Sequence, residues 1–338
     1  MTAREALDFA QTVALLWQEN KRFAVATVVA VSGSAYRRQG AKLLLAEDGT
    51  TLGQVSGGCF EPELARLAQA VLQDGKPQTV TYDLGDESVF GYLVGCPGNI
   101  EVHVEAWHPS APLKAWLAAI EKRQKGVLVT DLNRGDHHAF WDGHQWVGQP
   151  PAAIQLNDWP TQSYVLNAPS GRYFIDPLPE FGTLVVFGAG FDAVPLVQGA
   201  IHLGFTVHVI DPRPAYANAS RFPGADVHVM QPQEAIHLLD EATFVVIMNH
   251  HLVRDEASVD LALRHKARYI GALGPRKRWE TIFAKLGLQA MPANLFNPVG
   301  LDIGAESAEE IAHAILGEII AVSRGHAGGF LKHAGKIH

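Results

Sequence analysis

LVVFGAGFDAVPL (184–196) is the stretch that decides the fold of the second half of the chain. A β-branched apolar run ends in Gly188-Ala189-Gly190, with Ala193 at the third glycine position and helix-compatible residues beyond it. The next apolar run, FTVHVID (205–211), ends on Asp211, 21 residues after Gly190. This is the spacing of a dinucleotide-binding strand, turn and helix. The first glycine permits the tight turn, and the second lets a phosphate approach the backbone at the helix N-terminus. The acidic residue accepts hydrogen bonds from ribose hydroxyls. A sheet of the same form whose crevice holds a different phosphate-bearing molecule, or nothing, remains open on this pattern.

Outward from that unit, FVVIM (244–248) and RYIGALG (268–274) are further short apolar runs separated by helical stretches. Strands apolar on both faces that alternate with helices make a parallel sheet covered by helices, here a Rossmann-like domain. Asn249-His250-His251 follows FVVIM, and Asp255 opens the next helix. Ligands of such sheets bind beyond the carboxyl ends of the strands, so His250 and Asp255 are candidates to face one. For Asp255, capping of its own helix is an equally good reading. Ser307 with Glu310 forms a capping box for a last helix whose inward face is Ile311, Ile315, Ile319 and Val322.

The first half is α+β. Phe9, Val13, Leu16 and Trp17 give an amphipathic opening helix. FAVATVVAVSGS (23–34) is a strand, and AKLLLA (41–46) and TLGQVS (51–56) form a hairpin around Glu47-Asp48-Gly49-Thr50. A helix follows over about 60–73, with strands within 78–107. We place this N-terminal domain at 1–108, an extension and linker marked by prolines 150, 151, 160, 169, 177 and 179 at 109–178, the Rossmann-like domain at 179–325 and a flexible tail at 326–338.

Composition sets the outer bounds. The 338 residues are 47% hydrophobic and 18% charged, enough for a sizeable core and about two domains. With 27 basic and 35 acidic residues the net charge is −8, which argues against a broad nucleic-acid surface. No apolar run reaches membrane-spanning length, and the first 25 residues lack a signal peptide's apolar stretch. Two cysteines give no disulfide framework and fit a reducing, cytoplasmic setting.

Those two cysteines lie in glycine turns. Ser56-Gly57-Gly58-Cys59-Phe60-Glu61 opens a helix, and Ser34, Arg37 and Arg38 lie in the preceding inter-strand loop. Backbone amides at a helix start, with arginines near, suit an oxyanion or phosphate. The same place lowers a thiol pKa, which makes Cys59 a candidate thiolate, against the blander reading of a small residue filling a turn. Cys96, in GCPG (95–98), invites the same two readings. No CxxC unit is present, so a structural zinc site is not expected. Of the 16 histidines, His250 stands apart, while His103, His202, His208 and His228 read as structural or solvent-facing.

In series, VSGSAYRRQGAK (31–42), GQVSGGCFEPEL (53–64), GCPGNIEVHVE (95–105), VVFGAGFDAVPL (185–196), IDPRPAYANASRFP (210–223), MNHHLVRDEASV (248–259), YIGALGPRKR (269–278) and NPVGLDIGAESAEEIAHAILGEI (297–319) resemble the XdhC/CoxI family over nearly the whole chain. That resemblance implies an N-terminal XdhC/CoxI domain followed by a Rossmann domain. It also implies an accessory factor that binds molybdenum cofactor as cargo, assists its sulfuration and inserts it into a xanthine dehydrogenase-type hydroxylase. A homodimer and a cysteine desulfurase partner belong to the same expectation. Residue by residue, Cys59 matches the family's SGGC cysteine and Cys96 its GCGG cysteine, which makes both metal-ligand candidates. His250 and Asp255 match its His-x4-Asp element, and Gly188 and Gly190 its Rossmann glycines. Ser34, Arg37, Gly57, Gly58, Glu61 and Asp211 complete the expected cofactor-binding set. The chain departs from the pattern at Pro97, which removes a backbone donor beside Cys96. The rival functions are an NAD(P)-dependent oxidoreductase, with His250 as its acid/base group, and a non-catalytic scaffold that assembles hydroxylase subunits. Neither explains the SGS and SGGC loops.

Overall fold

The computed structural model describes residues 1–33, 35–58, 60–83, 98–134, 137–156 and 158–333. The chain divides into two compact units, Met1–Glu180 and the part from Phe181 onward.

In the first unit, helix α1 (Ala3–Gln18) starts at a Thr2/Glu5 capping box and buries Phe9, Val13 and Leu16. Strands β1 (Phe23–Gly33), β2 (Lys42–Ala46), β3 (Thr51–Gly53), β4 (Gln78–Asp83) and β5 (Gly98–Ala106) form a sheet in the order β3-β2-β1-β5-β4. Its described pairings are antiparallel. Helix α2 (Glu61–Asp74) lays Leu64, Ala68 and Val71 on Ala24, Ala26, Val28, Val102 and Val104 of this sheet. Helix α3 (Ala111–Glu121) buries Trp116 edge-on against Phe9 and Trp107.

A second antiparallel sheet follows in the same unit. It comprises β6 (Val127–Asp131), β7 (His138–Trp141), β8 (Trp146–Val147), β9 (Tyr164–Ala168) and β10 (Gly171–Pro177), in the order β8-β7-β6-β10-β9. The stretch expected as a proline-marked linker therefore carries two strands. Pro169 sits in the β9–β10 turn and Pro177 ends β10, positions where a missing N–H costs little. Tyr173, Phe174 and Ile175 between them are buried, and burial outweighs the punctuation.

Two buried polar clusters fix this unit. Lys42 Nζ meets Asp176 Oδ2 at 2.6 Å, tying β2 to β10, and Ser163 donates to the same carboxylate at 2.6 Å. Glu105 on β5 accepts from Trp107 Nε1 at 3.0 Å and meets His138 Nε2 on β7 at 3.1 Å. Burial alone would raise the Glu105 carboxyl, but His138, His103 and the Trp107 donor outweigh it and hold it at about 2.

The second unit is one parallel sheet in the order β13-β12-β11-β14-β15-β16, which counted within the unit is 3-2-1-4-5-6. The strands are β11 (Thr183–Phe187), β12 (Thr206–Ile210), β13 (Asp226–His228), β14 (Phe244–Ile247), β15 (Tyr269–Ala272) and β16 (Leu295–Phe296). Helices α4 (Ala193–His202) and α7 (Ala308–Ser323) cover one face with Leu196, Val197, Ile315 and Ile319. Helices α5 (Leu252–Arg264) and α6 (Arg276–Lys285) cover the other with Val259, Ala262, Trp279 and Ile282. The expected capping box at Ser307 and Glu310 starts α7. Strand order reverses between β11 and β14, and that is where such sheets open a ligand crevice. Among the described residues, no helix is long and apolar enough to cross a membrane.

A folded-state Glu105 pKa of about 2, against the ordinary 4.5, stabilises the native state above pH 4.5 and loses that stabilisation as pH falls toward 2. Urea titrations of the wild type from pH 6 to pH 3 are expected to show this decline. Glu105→Gln is expected to cost about 3 kcal/mol at pH 7, because it breaks a buried pair, and to flatten the acid limb. An unchanged acid limb in the variant counts against this role.

Candidate functional site

The crevice is built from the carboxyl ends of β11, β12 and β14. Beyond β11, Gly188 N donates to Ile210 O at 2.8 Å, and Met248 N donates to Phe187 O at 2.8 Å. The turn is thereby stitched to both neighbouring strands. Gly188 has φ +111°, and a Cβ there would collide with the Met248 carbonyl. Only glycine satisfies both demands. The chain then enters α4 through Phe191 and Asp192.

Asp211, at the end of β12, is fully buried. Its Oδ2 accepts from Ala189 N at 3.0 Å and from Arg213 Nη2 at 2.7 Å. Its Oδ1 accepts from Arg213 N at 2.9 Å and Nε at 2.8 Å. Burial pushes this carboxyl up, but the Arg213 and Ala189 donors outweigh it and leave it below its ordinary value. A carboxylate offers about four acceptor positions, and four donors fill them here. Asp211 thus holds the glycine turn and Arg213, in place of the open ribose acceptor that the spacing suggests. Arg213 in turn lies 3.9 Å over the Tyr216 ring.

On the β14 side, His250 sits in the left-handed region with φ +54° and directs Nε2 at Asp192 Oδ2, 2.7 Å away. The Asp192 carboxylate raises the imidazole pKa against a smaller opposing effect of burial. The pair bridges the β11 turn and the β14 loop across the point where strand order reverses. Behind it, Asn249 Nδ2 donates to Asp255 Oδ1 at 3.1 Å and to Ser258 Oγ at 3.2 Å. Arg278, from the first turn of α6, pairs with Asp255 Oδ2. Burial pushes the Asp255 carboxyl up, and Asn249 and Arg278 offset only part of that. Asp255 is buried within this network, on the inner side of the loop, while His250 is exposed. Asn249 Oδ1 and Arg278 Nε find no partner among the described residues.

The first unit holds the other expected set. At the start of α2, Glu61 turns back on its own loop: its Oε1 accepts from Ser56 N at 3.1 Å, and its Oε2 takes the Ser56 hydroxyl and Phe60 N. Gly58 N donates to Ser56 Oγ at 3.2 Å, and Gly57 and Gly58 are exposed. Ser56 and Glu61 thus take up amides that the sequence suggested for an external anion. Burial raises the Glu61 carboxyl, and the Ser56 and backbone donors reverse this to a net lowering. Arg37 pairs with Glu5 of α1 at 2.6 Å. Ser34, Cys59 and Cys96 lie outside the described residues. Among the described residues, no group of three or more His, Cys, Asp or Glu side chains is arranged to hold a metal ion. An open concavity of about 660 Å³ lined by Gln39, Trp159, Gln162 and Tyr164 contains none of the expected residues.

The structure therefore brings Gly188, Gly190, Asp211, His250 and Asp255 together at one end of one sheet. Asp192, Arg213, Asn249 and Arg278 are additions that sequence reasoning missed. Arg213 had a local signal, two residues after Asp211. Asp192 and Arg278 had none, because their partners are 58 and 23 residues away.

A family model described as the XdhC Rossmann domain matches residues 184–319, and one described as the XdhC and CoxI family matches residues 16–83. The chain is similar to a Bacillus subtilis (strain 168) protein named as a probable subunit of xanthine dehydrogenase, with 32% identity over 90% of this chain and 94% of that one. It is similar to the molybdenum cofactor insertion chaperone PaoD of Escherichia coli (strain K12), with 26% identity over 88% of this chain and 82% of that one. Among solved structures, a crystal structure described as a xanthine dehydrogenase from Bacillus halodurans aligns with a TM-score of 0.80 and 29% identity, covering 100% of this chain and 98% of that one.

Two outcomes test the crevice. The His250 imidazole is expected to titrate above 6.5 by NMR, and Asp192→Asn is expected to move it down; an unmoved midpoint contradicts the pairing. Gly188→Ala is expected to cost roughly 2–3 kcal/mol in urea unfolding, from a strained positive φ together with a backbone clash. A cost within about 0.5 kcal/mol, as for an ordinary surface site, contradicts the close approach.

Proposed function

The chain belongs to the XdhC and CoxI family, and on that footing we propose that it is an accessory protein that binds molybdenum cofactor as cargo, assists its sulfuration and inserts it into a xanthine dehydrogenase-type hydroxylase. The observation that carries this reading is the likeness, through both units, to a protein named as a molybdenum cofactor insertion chaperone. The chemistry of the crevice agrees with it. The cargo carries a phosphate, and in its dinucleotide form a pyrophosphate and a ribose. The Gly188–Gly190 turn leads to the N-terminal end of α4, where backbone N–H dipoles favour an anion, and the Asp192 carboxylate lies in the space beside Gly190. Asp211 orients the Arg213 guanidinium beside the turn, and Asp192 raises the pKa of the His250 imidazole opposite it.

For the metal end, Cys59 and Cys96 supply thiolates, soft ligands suited to molybdenum. A cysteine desulfurase is the matching sulfur source, and a cytoplasmic homodimer is the setting we propose. An NAD(P)-dependent oxidoreductase would use the Asp211 carboxylate for ribose hydroxyls. In this chain Ala189 and Arg213 already fill it.

The test is to purify the protein from cells that make molybdenum cofactor and to assay bound molybdenum and oxidised-pterin fluorescence. Near-stoichiometric pterin is expected, and its absence contradicts the cargo reading. Cys59→Ala and Cys96→Ala are expected to lose molybdenum or transfer to apo-hydroxylase. Undiminished content and transfer in both removes the thiols from the account.

A further inference from the structure

We propose that Phe191 is a stacking platform for the planar nitrogen heterocycle of a phosphate-bearing ligand, a nucleobase or a pterin, seated on the Gly188–Gly190 turn. The inference rests on the reading of the crevice as a cofactor site and names the part of the ligand that this edge grips.

Phe191 is 79% exposed although it adjoins a glycine turn bonded to both neighbouring strands. Its ring is not a loose surface side chain. The Arg221 guanidinium lies over it, with Cζ 4.8 Å from the ring centroid, and Tyr216 meets it edge-on at 6.4 Å. Arg221 is itself fixed by backbone carbonyls: Nη1 donates to Ala189 O at 2.9 Å and to Tyr216 O at 3.0 Å, and Nη2 donates to Gly190 O at 3.2 Å. Among the described residues no carboxylate pairs with Arg221, so its charge is directed at the aromatic rings and at the turn. A cation over an aromatic face holds the ring in place. A large exposure that survives this contact leaves ring surface available.

Arg213 adds the second component. Asp211 holds its guanidinium against Tyr216, the ring that also borders Phe191. Two aromatic rings and two fixed guanidinium groups therefore lie beside the glycine turn. Aromatic faces stack on flat heterocycles of any identity, and guanidinium groups suit phosphate oxygens. An aliphatic protein surface would gain from Phe191 but not from the two cations. The ligand class that uses all four groups is a flat heterocycle carrying a phosphate.

The test is isothermal titration of the full chain with guanosine 5′-monophosphate, cytidine 5′-monophosphate, 6-hydroxymethylpterin phosphate and ring-free ribose 5-phosphate. At least one ring-bearing probe is expected to bind about tenfold or more tightly than ribose 5-phosphate, in keeping with one stacked ring. The probe with that preference distinguishes base from pterin. Phe191→Ala is expected to abolish the preference, bringing ring-bearing and ring-free probes to similar affinity. Phe191→Trp is expected to keep it, with the new indole quenched on binding. Equal binding of ring-bearing and ring-free probes by the wild type overturns the proposal, as does a preference that survives in Phe191→Ala. The probes contain no molybdenum or dithiolene. A ring preference in a protein that purifies without cofactor therefore contradicts the cargo reading and not the platform.

Discussion

At Gly188 the chain leaves β11 with φ +111°, so near the Met248 carbonyl that no side chain fits between them. The hydrogen bonds from Gly188 to Ile210 and from Met248 to Phe187 require this approach, because they join the turn to both neighbouring strands. From it follow the direction in which α4 departs, the place of Asp192 at its entrance and the reach of His250 from the next strand. A longer or looser turn would leave the Asp211 carboxylate without the Ala189 amide and Arg221 without two of its three carbonyls.

Around that turn, three carboxylates each hold a basic side chain: Asp211 with Arg213, Asp192 with His250 and Asp255 with Arg278. Buried or half-buried pairs of this kind add little net stability once desolvation is counted. Their effect is to position charge. Asp211 and Asp255 are buried, whereas their arginine partners and His250 keep exposed surface, so the crevice offers fixed guanidinium groups and an imidazole to solvent. This polarity suits a phosphorylated ligand on a chain whose overall charge is −8. The first unit uses its polar groups differently. Ser56 and Glu61 close the glycine loop on itself, and Lys42 and Asp176 join its two sheets.

Much of the fold was legible because it depends on local periodicity. The glycine turn after LVVF, the alternation of apolar strands with helices, and the Ser307–Glu310 capping box all declare themselves within a few residues. The β9–β10 hairpin did not, because its prolines fall at turn and strand ends that a sequence scan scores as breaks, and its strand pairing with β6 is long-range. At the site, Gly188, Gly190 and His250 were legible from position in the sheet. The use of Asp211 was not, since spacing shows where a carboxylate lies and not which donors already fill it. Phe191 was not legible for a related reason: sequence shows neither its exposure nor the Arg221 against its ring.

If cargo occupies the crevice between β11 and β14, the two segments that flank the reversal of strand order must both sense it. Amide hydrogen exchange of the protein with and without bound molybdenum cofactor tests this most directly. Slowed exchange is expected in both 188–193 and 249–255. Cofactor binding with exchange unchanged in both segments would contradict it.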